Sequence, residues 1–123
     1  MATILIVDDQ AVTRRVLSLT LRNEGYDIIT AEDGLDALSR LEEAPVDLVL
    51  LDITMPRMDG LALLHTLRSD ERHAALPVIM LTANGQDSTR KAALSIGADG
   101  FLTKPTSSQE LIETVGRFVY ARI

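Results

Sequence analysis

The sequence predicts an α/β fold in which helices cover both faces of a parallel sheet. Short apolar segments alternate five times along the 123 residues with segments whose apolar residues recur at helical spacing. This alternation favours parallel strands joined by right-handed crossovers. The hydrophobic share of 46% and the charged share of 24% are ordinary for a globular protein, and no repeat or linker interrupts the pattern. We therefore expect one domain over residues 1–123.

The first part of the chain contains three predicted strands and two predicted helices. The strands are residues 3–7, 26–30 (an edge strand) and 48–51. The third strand has four consecutive large apolar residues, which suits burial on both faces. Residues at helical spacing in the first helix are Val12, Val16, Leu17, Thr20 and Leu21, and Gly25 ends it. Asp33 is a predicted N-cap of the second helix, whose inward positions are Ala37, Leu38 and Leu41.

The second part contains three predicted helices and two predicted strands. Asp59 caps the third helix, whose apolar face is formed by Leu61, Leu64 and Leu67. Strands are predicted at residues 77–81 and 98–103. The helix between them, at about residues 87–96, has few large apolar residues and should be the least firmly packed. Ser107 and Glu110 form a capping-box pattern before the last helix. Its apolar face is Leu111, Ile112, Val115, Phe118 and Val119.

Composition excludes several classes of function. The net charge of −6 argues against electrostatic binding of nucleic acid, and 3% aromatic residues with no Trp leave no stacking surface for single strands. The absence of Cys excludes disulfides and thiolate metal sites, and it fits a reducing compartment. The apolar segment near the N-terminus is too short for a signal peptide or a membrane span. We expect a cytoplasmic protein that contacts neither nucleic acid nor membrane directly.

Polar residues follow four of the five predicted strands directly. They are Asp8 and Asp9 after the first strand, Asp52 after the third, Thr82 after the fourth and Lys104 after the fifth. The carboxyl ends of parallel strands share one edge of a sheet, which is where open α/β sheets bind ligands. Taken alone, Asp52 is equally well explained as a turn residue. The full set instead predicts a cluster of three acids, one hydroxyl and one ammonium.

Such a cluster opposes folding unless a further cation joins it. Two like charges ~4 Å apart repel by about 4 kcal/mol at an effective dielectric constant of 20. Lys104 offsets part of this repulsion, and Mg²⁺, a hard cation that needs few protein carboxylates, is the natural complement. Asp52 beside a metal and an ammonium is well placed to attack phosphorus. Lys104 would then neutralise phosphoryl oxygens, and Thr82 would donate a hydrogen bond to one of them.

The ordered set of motifs resembles the response-regulator receiver domain, the phospho-accepting module of two-component signalling, over essentially the whole chain. The matching motifs are Asp8-Asp9, Asp52 with Met55-Pro56, Asp59-Gly60, Thr82-Ala83 and Lys104-Pro105. Each dipeptide alone is a weak signal, whereas their order on a fivefold βα pattern is specific. The resemblance implies a doubly wound (βα)5 fold of the flavodoxin or CheY-like kind, with the five parallel strands in the order 2-1-3-4-5.

The resemblance also implies a role for each site residue. Asp52 would become the aspartyl phosphate. The metal, Mg²⁺ or Mn²⁺, would be held by Asp9, Asp52 and the backbone carbonyl of Thr54, with Asp8 acting through water. Thr82 and Lys104 would bind phosphoryl oxygens. Phe101 would be the switch aromatic, which turns inward when Thr82 moves toward the phosphate. The Lys104-Pro105 peptide bond would be cis. Ala11 departs from the family's usual capping residue, which leaves Asp9 as the cap of the first helix or leaves the helix without one.

The implied function is a phosphorelay switch that catalyses only its own phosphorylation and dephosphorylation. The phosphoryl donor would be a sensor histidine kinase or a histidine phosphotransfer protein. Phosphorylation would switch the surface formed by the fourth helix, fifth strand and fifth helix toward a downstream protein or an output domain missing from this sequence. A phosphorylation-dependent homodimer is also compatible with the family. Whether the receiver stands alone or belongs to a multidomain regulator stays open.

Two rival functions are less well supported by the residues. A phosphohydrolase of the haloacid dehalogenase type also attacks with a strand-end Asp, but it places a second Asp two residues later, where this chain has Thr54. Dinucleotide binding requires a glycine-rich turn after the first strand. The turn here is Asp8-Asp9-Gln10, which has no glycine and would repel a pyrophosphate. Both alternatives therefore rank behind the receiver.

Overall fold

The computed structural model describes residues 2–53, 55, 58–83 and 87–122, with strands and helices in strict alternation. The strands are β1 (Thr3–Val7), β2 (Asp27–Ala31), β3 (Leu48–Asp52), β4 (Val78–Thr82) and β5 (Gly100–Thr103). The helices are α1 (Ala11–Arg22), α2 (Gly34–Glu43), α3 (Gly60–Arg68), α4 (Asp87–Ile96) and α5 (Ser108–Arg122). Within the described ranges, no helix combines the length and the apolarity needed to cross a bilayer.

All five strands pair in parallel in one sheet, in the order β2-β1-β3-β4-β5. The predicted fold class and strand order are confirmed, and β2 is an edge strand as predicted. The register pairs Val7 with Leu51, Asp52 with Leu81, and Thr82 with Thr103. The carboxyl ends of β1, β3, β4 and β5 therefore meet at one edge of the sheet.

Alternate residues of the central strand β3 supply two apolar cores, one on each face of the sheet. Leu48 and Leu50 lie in a core with residues of α1 and α5, whereas Val49 and Leu51 lie in a core with residues of α2, α3 and α4. Every residue of β3 is buried. Burying each large apolar side chain contributes roughly 1.5–3 kcal/mol, so this strand is a rigid support for the residue at its end.

The predicted caps of α2, α3 and α5 agree with the structure. Asp33 accepts a hydrogen bond from Asp36 N at 2.8 Å, and Asp59 accepts one from Ala62 N at 2.8 Å. The hydroxyl of Ser107 accepts a hydrogen bond from Glu110 N at 3.1 Å, which forms half of the capping box. At α1 the N-cap residue is Gln10, which makes no capping hydrogen bond with its side chain. Of the two possibilities for α1, the uncapped start is therefore correct.

The strand boundaries differ from the prediction by one or two residues. Strand β1 agrees with the prediction, and β3 ends one residue later than predicted, at Asp52. Strands β2 and β4 each begin and end one residue later, and β5 begins at Gly100 instead of residue 98. Residues 98 and 99 lie before the ladder, where Asp99 N donates to Val78 O at 2.9 Å. Apolar periodicity identifies the buried part of a strand, but hydrogen bonds to the neighbouring strand determine where it begins.

The apolar spacing of α1 overstates how much of the helix is buried. Leu17 and Leu21 are buried together with Ser18, whereas Val12 is 74% exposed and Val16 is 55% exposed. Only one side of α1 faces the sheet, so apolar residues at its N-terminal end remain at the surface. On α3 the buried stripe is Leu63, Leu64 and Leu67, and Leu61 is only partly buried.

Helix α4 is held by few apolar side chains, as predicted. Among its described side chains, residues 89–96, only Ala93 is buried, and Leu94 is 56% exposed. Sparse apolar contact lowers the free energy needed to displace a helix locally. Helix α4 can therefore be displaced with little loss of buried apolar contact among its described side chains.

Candidate functional site

The carboxyl edge of the sheet gathers the acidic residues that the sequence places after β1 and at the end of β3. One carboxylate oxygen each from Asp8, Asp9 and Asp52 lies within 4.8 Å of the others. Lys104, after β5, brings its Nζ to 2.5 Å from Asp8 Oδ2 and 3.4 Å from Asp52 Oδ2. Thr82 is the last residue of β4, at the same edge. Residues almost a hundred positions apart are thus neighbours at one site.

The two adjacent acids after β1 have different environments. Asp8 is fully buried, and its Oδ1 accepts a hydrogen bond from Gln10 N at 2.9 Å, which shapes the turn into α1. The backbone carbonyl of Asp8 accepts a hydrogen bond from Arg14 Nη1 at 2.6 Å. Asp9, in contrast, is exposed. One acid is therefore fixed inside the site, and its neighbour faces the solvent from which an ion would enter.

The charge of Lys104 compensates the buried acids. Asp8 Oδ2 is buried, and the ammonium of Lys104, 2.5 Å away, is its partner. Burial lowers the pKa of Lys104, and its contacts with Asp8 and Asp52 raise it by more, so the pKa lies above the usual 10.5. Because the folded-state pKa is raised, the stabilisation from these contacts is fully present below pH 10.5 and is lost only above it.

Among the side chains that the structure describes, the charges of the site do not balance. Three carboxylates and one ammonium leave a formal charge of −2, and two of the carboxylates, those of Asp8 and Asp52, are at most 5% exposed. Hard oxygen ligands of this number and charge suit Mg²⁺, which keeps several waters and binds through one or two carboxylates. The donor set of Asp8, Asp9 and Asp52 therefore fits a divalent cation.

Glycine at position 60 allows α3 to begin directly against the site. Gly60 N donates to Ile53 O at 2.8 Å. A Cβ at this position would overlap the backbone oxygen of Asp52 and would lie 2.7 Å from the Cα of Ile53. Sequence reasoning noted Asp59-Gly60 only as part of a motif. The structure shows that the absence of a side chain here is what permits the close approach to Asp52.

The residues named for switching lie on β4 and β5. Thr82 is 6% exposed, and Lys104 N donates to its carbonyl oxygen at 2.8 Å. Phe101 pairs with Met80 in the sheet and is partly buried, and the guanidinium carbon of Arg90 lies 5.3 Å from the centre of its ring. The Lys104-Pro105 peptide bond is cis. Two residues of the predicted motifs, Thr54 and Pro56, lie outside the described residues.

Sequence reasoning missed two arginines near the site. Arg14 reaches back from α1 to the carbonyl of Asp8, and Arg90 lies on the ring of Phe101. Both are unremarkable in the sequence, because a helical pattern indicates which face a residue occupies but not which atom a long side chain reaches. Neither contact has a spacing signal that would have revealed it.

The fold and the acidic edge together define the class of protein. Five parallel strands in the order 2-1-3-4-5, with five helices, form a CheY-like α/β fold. A family profile described as "Response regulator receiver domain" matches residues 4–116. The chain belongs to this family, the receiver domains of response regulators in two-component systems.

Curated relatives and solved structures agree with this assignment. The chain is 42% identical over 110 residues to the probable transcriptional regulatory protein TcrX of Mycobacterium tuberculosis, covering 89% of this chain and 46% of the relative. It is 39% identical over 110 residues to the phosphate regulon transcriptional regulatory protein PhoB of Pseudomonas aeruginosa, covering 89% and 48%. The chain thus spans about half the length of these relatives. The structure of the Vibrio cholerae chemotaxis protein CheY4 matches with a TM-score of 0.92 and 33% identity, covering 96% of this chain and 98% of that one.

Proposed function

We propose that this chain is a phosphorylation-controlled switch, folded as a single receiver domain, whose phosphoryl acceptor is Asp52. The phosphoryl donor is the phosphohistidine of a sensor kinase or of a phosphotransfer protein, and the reaction depends on Mg²⁺, with Mn²⁺ as an alternative. The observation that carries the proposal is the geometry around Asp52: two further carboxylates within 4.8 Å and an ammonium at 3.4 Å. This is the charge pattern that phosphoryl transfer to a carboxylate requires.

In the proposed reaction, a carboxylate oxygen of Asp52 forms a bond to phosphorus while the bond from phosphorus to the donor's histidine nitrogen breaks. The ammonium of Lys104 neutralises negative charge on the phosphoryl oxygens, and the hydroxyl of Thr82 donates a hydrogen bond to one of them. Asp8, Asp9 and Asp52 would hold the metal, together with the backbone carbonyl proposed for Thr54. The metal, when bound, supplies further charge neutralisation at the transferring group.

The donor would dock beside the acidic edge, on the N-terminal part of α1. Val12 and Val16 are exposed there and line a groove of about 410 Å³ together with Lys104 and Pro105. These apolar side chains lie next to the proposed acceptor, and the apolar face of a helix that carries the donor histidine would pack against them. A helix bound in this groove would lie within reach of Asp52, because Lys104 lines the groove and also contacts Asp52.

The output of the switch would be the surface formed by α4, β5 and α5. Thr82 and Phe101 connect this surface to the acceptor, and α4 is weakly anchored, which lowers the cost of moving it. Coupling between phosphorylation and partner binding of about 1–3 kcal/mol would then be sufficient for regulation. The partner would be a downstream protein, an output domain of a longer regulator, or a second receiver. The relatives named above are described as transcriptional regulatory proteins, which supports an output domain.

Treatment with acetyl phosphate and Mg²⁺ tests the proposal. The wild-type protein should become phosphorylated, and Asp52→Asn should not, because the amide is a poor nucleophile toward phosphorus. Asp27→Asn, which removes an exposed acid from the far edge strand, should be labelled like the wild type. Equal labelling of wild type and Asp52→Asn would refute the assignment. Continuous turnover of a general phosphate monoester would instead support a phosphohydrolase.

A further inference from the structure

The guanidinium of Arg90, on α4, is partly buried and lies against the aromatic ring of Phe101. Its central carbon lies 5.3 Å from the centre of the Phe101 ring, within the range of a cation–π interaction. Its Nε is buried and has no hydrogen-bond partner among the residues that the structure describes. Among the side chains that the structure describes, no carboxylate forms an ion pair with Arg90. Among the described side chains, the ring of Phe101 is therefore the group that interacts with the charge of this partly buried cation.

The opposite end of α4 is tied down by a different arginine. Arg68, on α3, donates from Nε to Gly97 O at 2.9 Å and from Nη2 to Asp99 Oδ2 at 2.8 Å. The same oxygen of Asp99 accepts a hydrogen bond from Val78 N at 2.9 Å. The C-terminal end of α4 is thus connected to α3 and β4 by polar contacts. Arg90, in the first half of the helix, instead connects α4 to β5.

Phe101 lies at the edge of the core, which makes the orientation of its ring sensitive to the contact with Arg90. Its ring is partly buried and packs against the core formed with α2, α3 and α4. A ring held partly by the core and partly by one cation changes its preferred orientation when the cation is removed. Rotation of the ring away from Arg90 would also leave the buried Nε with neither a π face nor a hydrogen bond, which costs free energy.

We infer that Arg90 is a positioning residue that holds Phe101 in its resting orientation and thereby biases the switch toward the unphosphorylated state. The inference deepens the proposed function and rests on it, because it names the residue that opposes the transition of the α4, β5 and α5 surface. A cation–π contact of ordinary strength changes the ratio of the two ring orientations by about 2- to 30-fold. Removing the cation should therefore shift that ratio toward the activated orientation.

Fluorine NMR on protein labelled with 4-fluorophenylalanine measures this ratio directly. The chain has two phenylalanines, so the spectrum contains two resonances, which a Phe118→Leu variant assigns. Phe118 packs against the core on the other face of the sheet and serves as an internal reference. The activated position of the Phe101 resonance is defined with beryllofluoride and Mg²⁺, since beryllofluoride on a carboxylate mimics a phosphoryl group. The variants to compare are Arg90→Met, Arg90→Lys and, as a matched loss of charge, Lys91→Met on the exposed face of α4.

In the resting protein, Arg90→Met should move the Phe101 resonance toward its activated position, with the Phe118 resonance unchanged. Arg90→Lys, which keeps a cation, should restore most of the wild-type position, and Lys91→Met should match the wild type. A Phe101 resonance in Arg90→Met that is identical to the wild type would overturn the inference. So would equal shifts in Arg90→Met and Lys91→Met, because they would report only a change in net charge.

The failure of this inference is distinguishable from the failure of the proposed function. If acetyl phosphate modifies Asp52 but Arg90→Met leaves the Phe101 resonance unchanged, the switch stands and the role of Arg90 is wrong. If neither acetyl phosphate nor beryllofluoride affects the wild-type protein, the proposed function is wrong, and the bias attributed to Arg90 falls with it.

Discussion

Replacing Asp9 by asparagine should stabilise the metal-free protein and abolish its stabilisation by Mg²⁺. Asp9 carries an exposed carboxylate with an oxygen within 4.8 Å of oxygens of Asp8 and Asp52. At this separation a pair of unit charges repels by about 3.5 kcal/mol at a dielectric constant of 20 and by about 0.9 kcal/mol in water. Because Asp9 is exposed, the lower value applies. The repulsion of Asp9 by Asp8 and by Asp52 together amounts to about 2 kcal/mol at low salt, and Asp9→Asn removes it.

Urea unfolding in low-salt buffer tests this prediction, first with a chelator and then with millimolar Mg²⁺. The free energy of unfolding of the wild type should rise by about 1.4 kcal/mol when Mg²⁺ is present at about ten times its dissociation constant, because the ion binds only the folded state. Asp9→Asn should be more stable than the wild type with the chelator and should gain little from Mg²⁺. Asp27→Asn, an exposed acid outside the cluster, should keep the wild-type response. A less stable Asp9→Asn variant, or one that gains as much from Mg²⁺ as the wild type, would contradict the proposed metal site.

Three further substitutions test how the structure supports the site and the helices around it. Gly60→Ala should lower the free energy of unfolding in urea by about 1–3 kcal/mol, because the new methyl group meets the backbone of Asp52, the proposed acceptor. Gly116→Ala should be neutral or stabilising, because its Cβ would meet none of the described atoms outside its own helix closer than 4.0 Å. Equal costs for the two would show that the close approach at position 60 is unimportant. Arg68→Met should lower the free energy of unfolding by about 3 kcal/mol, because Arg68 pairs with Asp99 and donates hydrogen bonds to the carbonyls of His73 and Leu76. A loss under about 1 kcal/mol would be too small for this network. Arg72→Met should raise the pKa of Asp70 above its value of about 2 in an NMR titration, because the side-chain hydrogen bonds from Arg72 are the largest cause that holds this pKa down. The backbone N–H at position 72 keeps its hydrogen bond to Asp70 and limits the rise, and an unchanged pKa would exclude the side chain as the cause. The depressed pKa means that the contribution of this pair to stability is full above pH 3.8 and is lost as the pH falls through about 2.

The parts of the fold that could be predicted are those governed by local pattern. The continuous apolar run of β3 indicated a strand buried on both faces, and the carboxylates of Asp33 and Asp59 indicated helix starts, all of which the structure shows. The meeting of strand-end residues followed from one further rule, that parallel strands end at a common edge. Sequence therefore predicts which residues approach each other when regular elements alone position them.

The features that could not be predicted depend on how elements meet. Val12 and Val16 fit the helical spacing of α1, yet they are exposed, because the sheet covers only one side of the helix. Asp8 and Asp9 are adjacent and chemically identical, and only the course of the turn decides that the first is buried and the second is not. The contact of Arg90 with Phe101 likewise depends on where a long side chain ends in three dimensions.

Locating the phosphoryl group by tandem mass spectrometry is the most direct test of the account. The wild-type protein is treated with acetyl phosphate, with and without Mg²⁺, digested and sequenced by fragmentation. The account predicts a single modified residue, Asp52, whose labelling requires Mg²⁺. A phosphoryl group on His65, His73 or any other residue, or labelling of Asp52 that does not depend on a divalent cation, would contradict it.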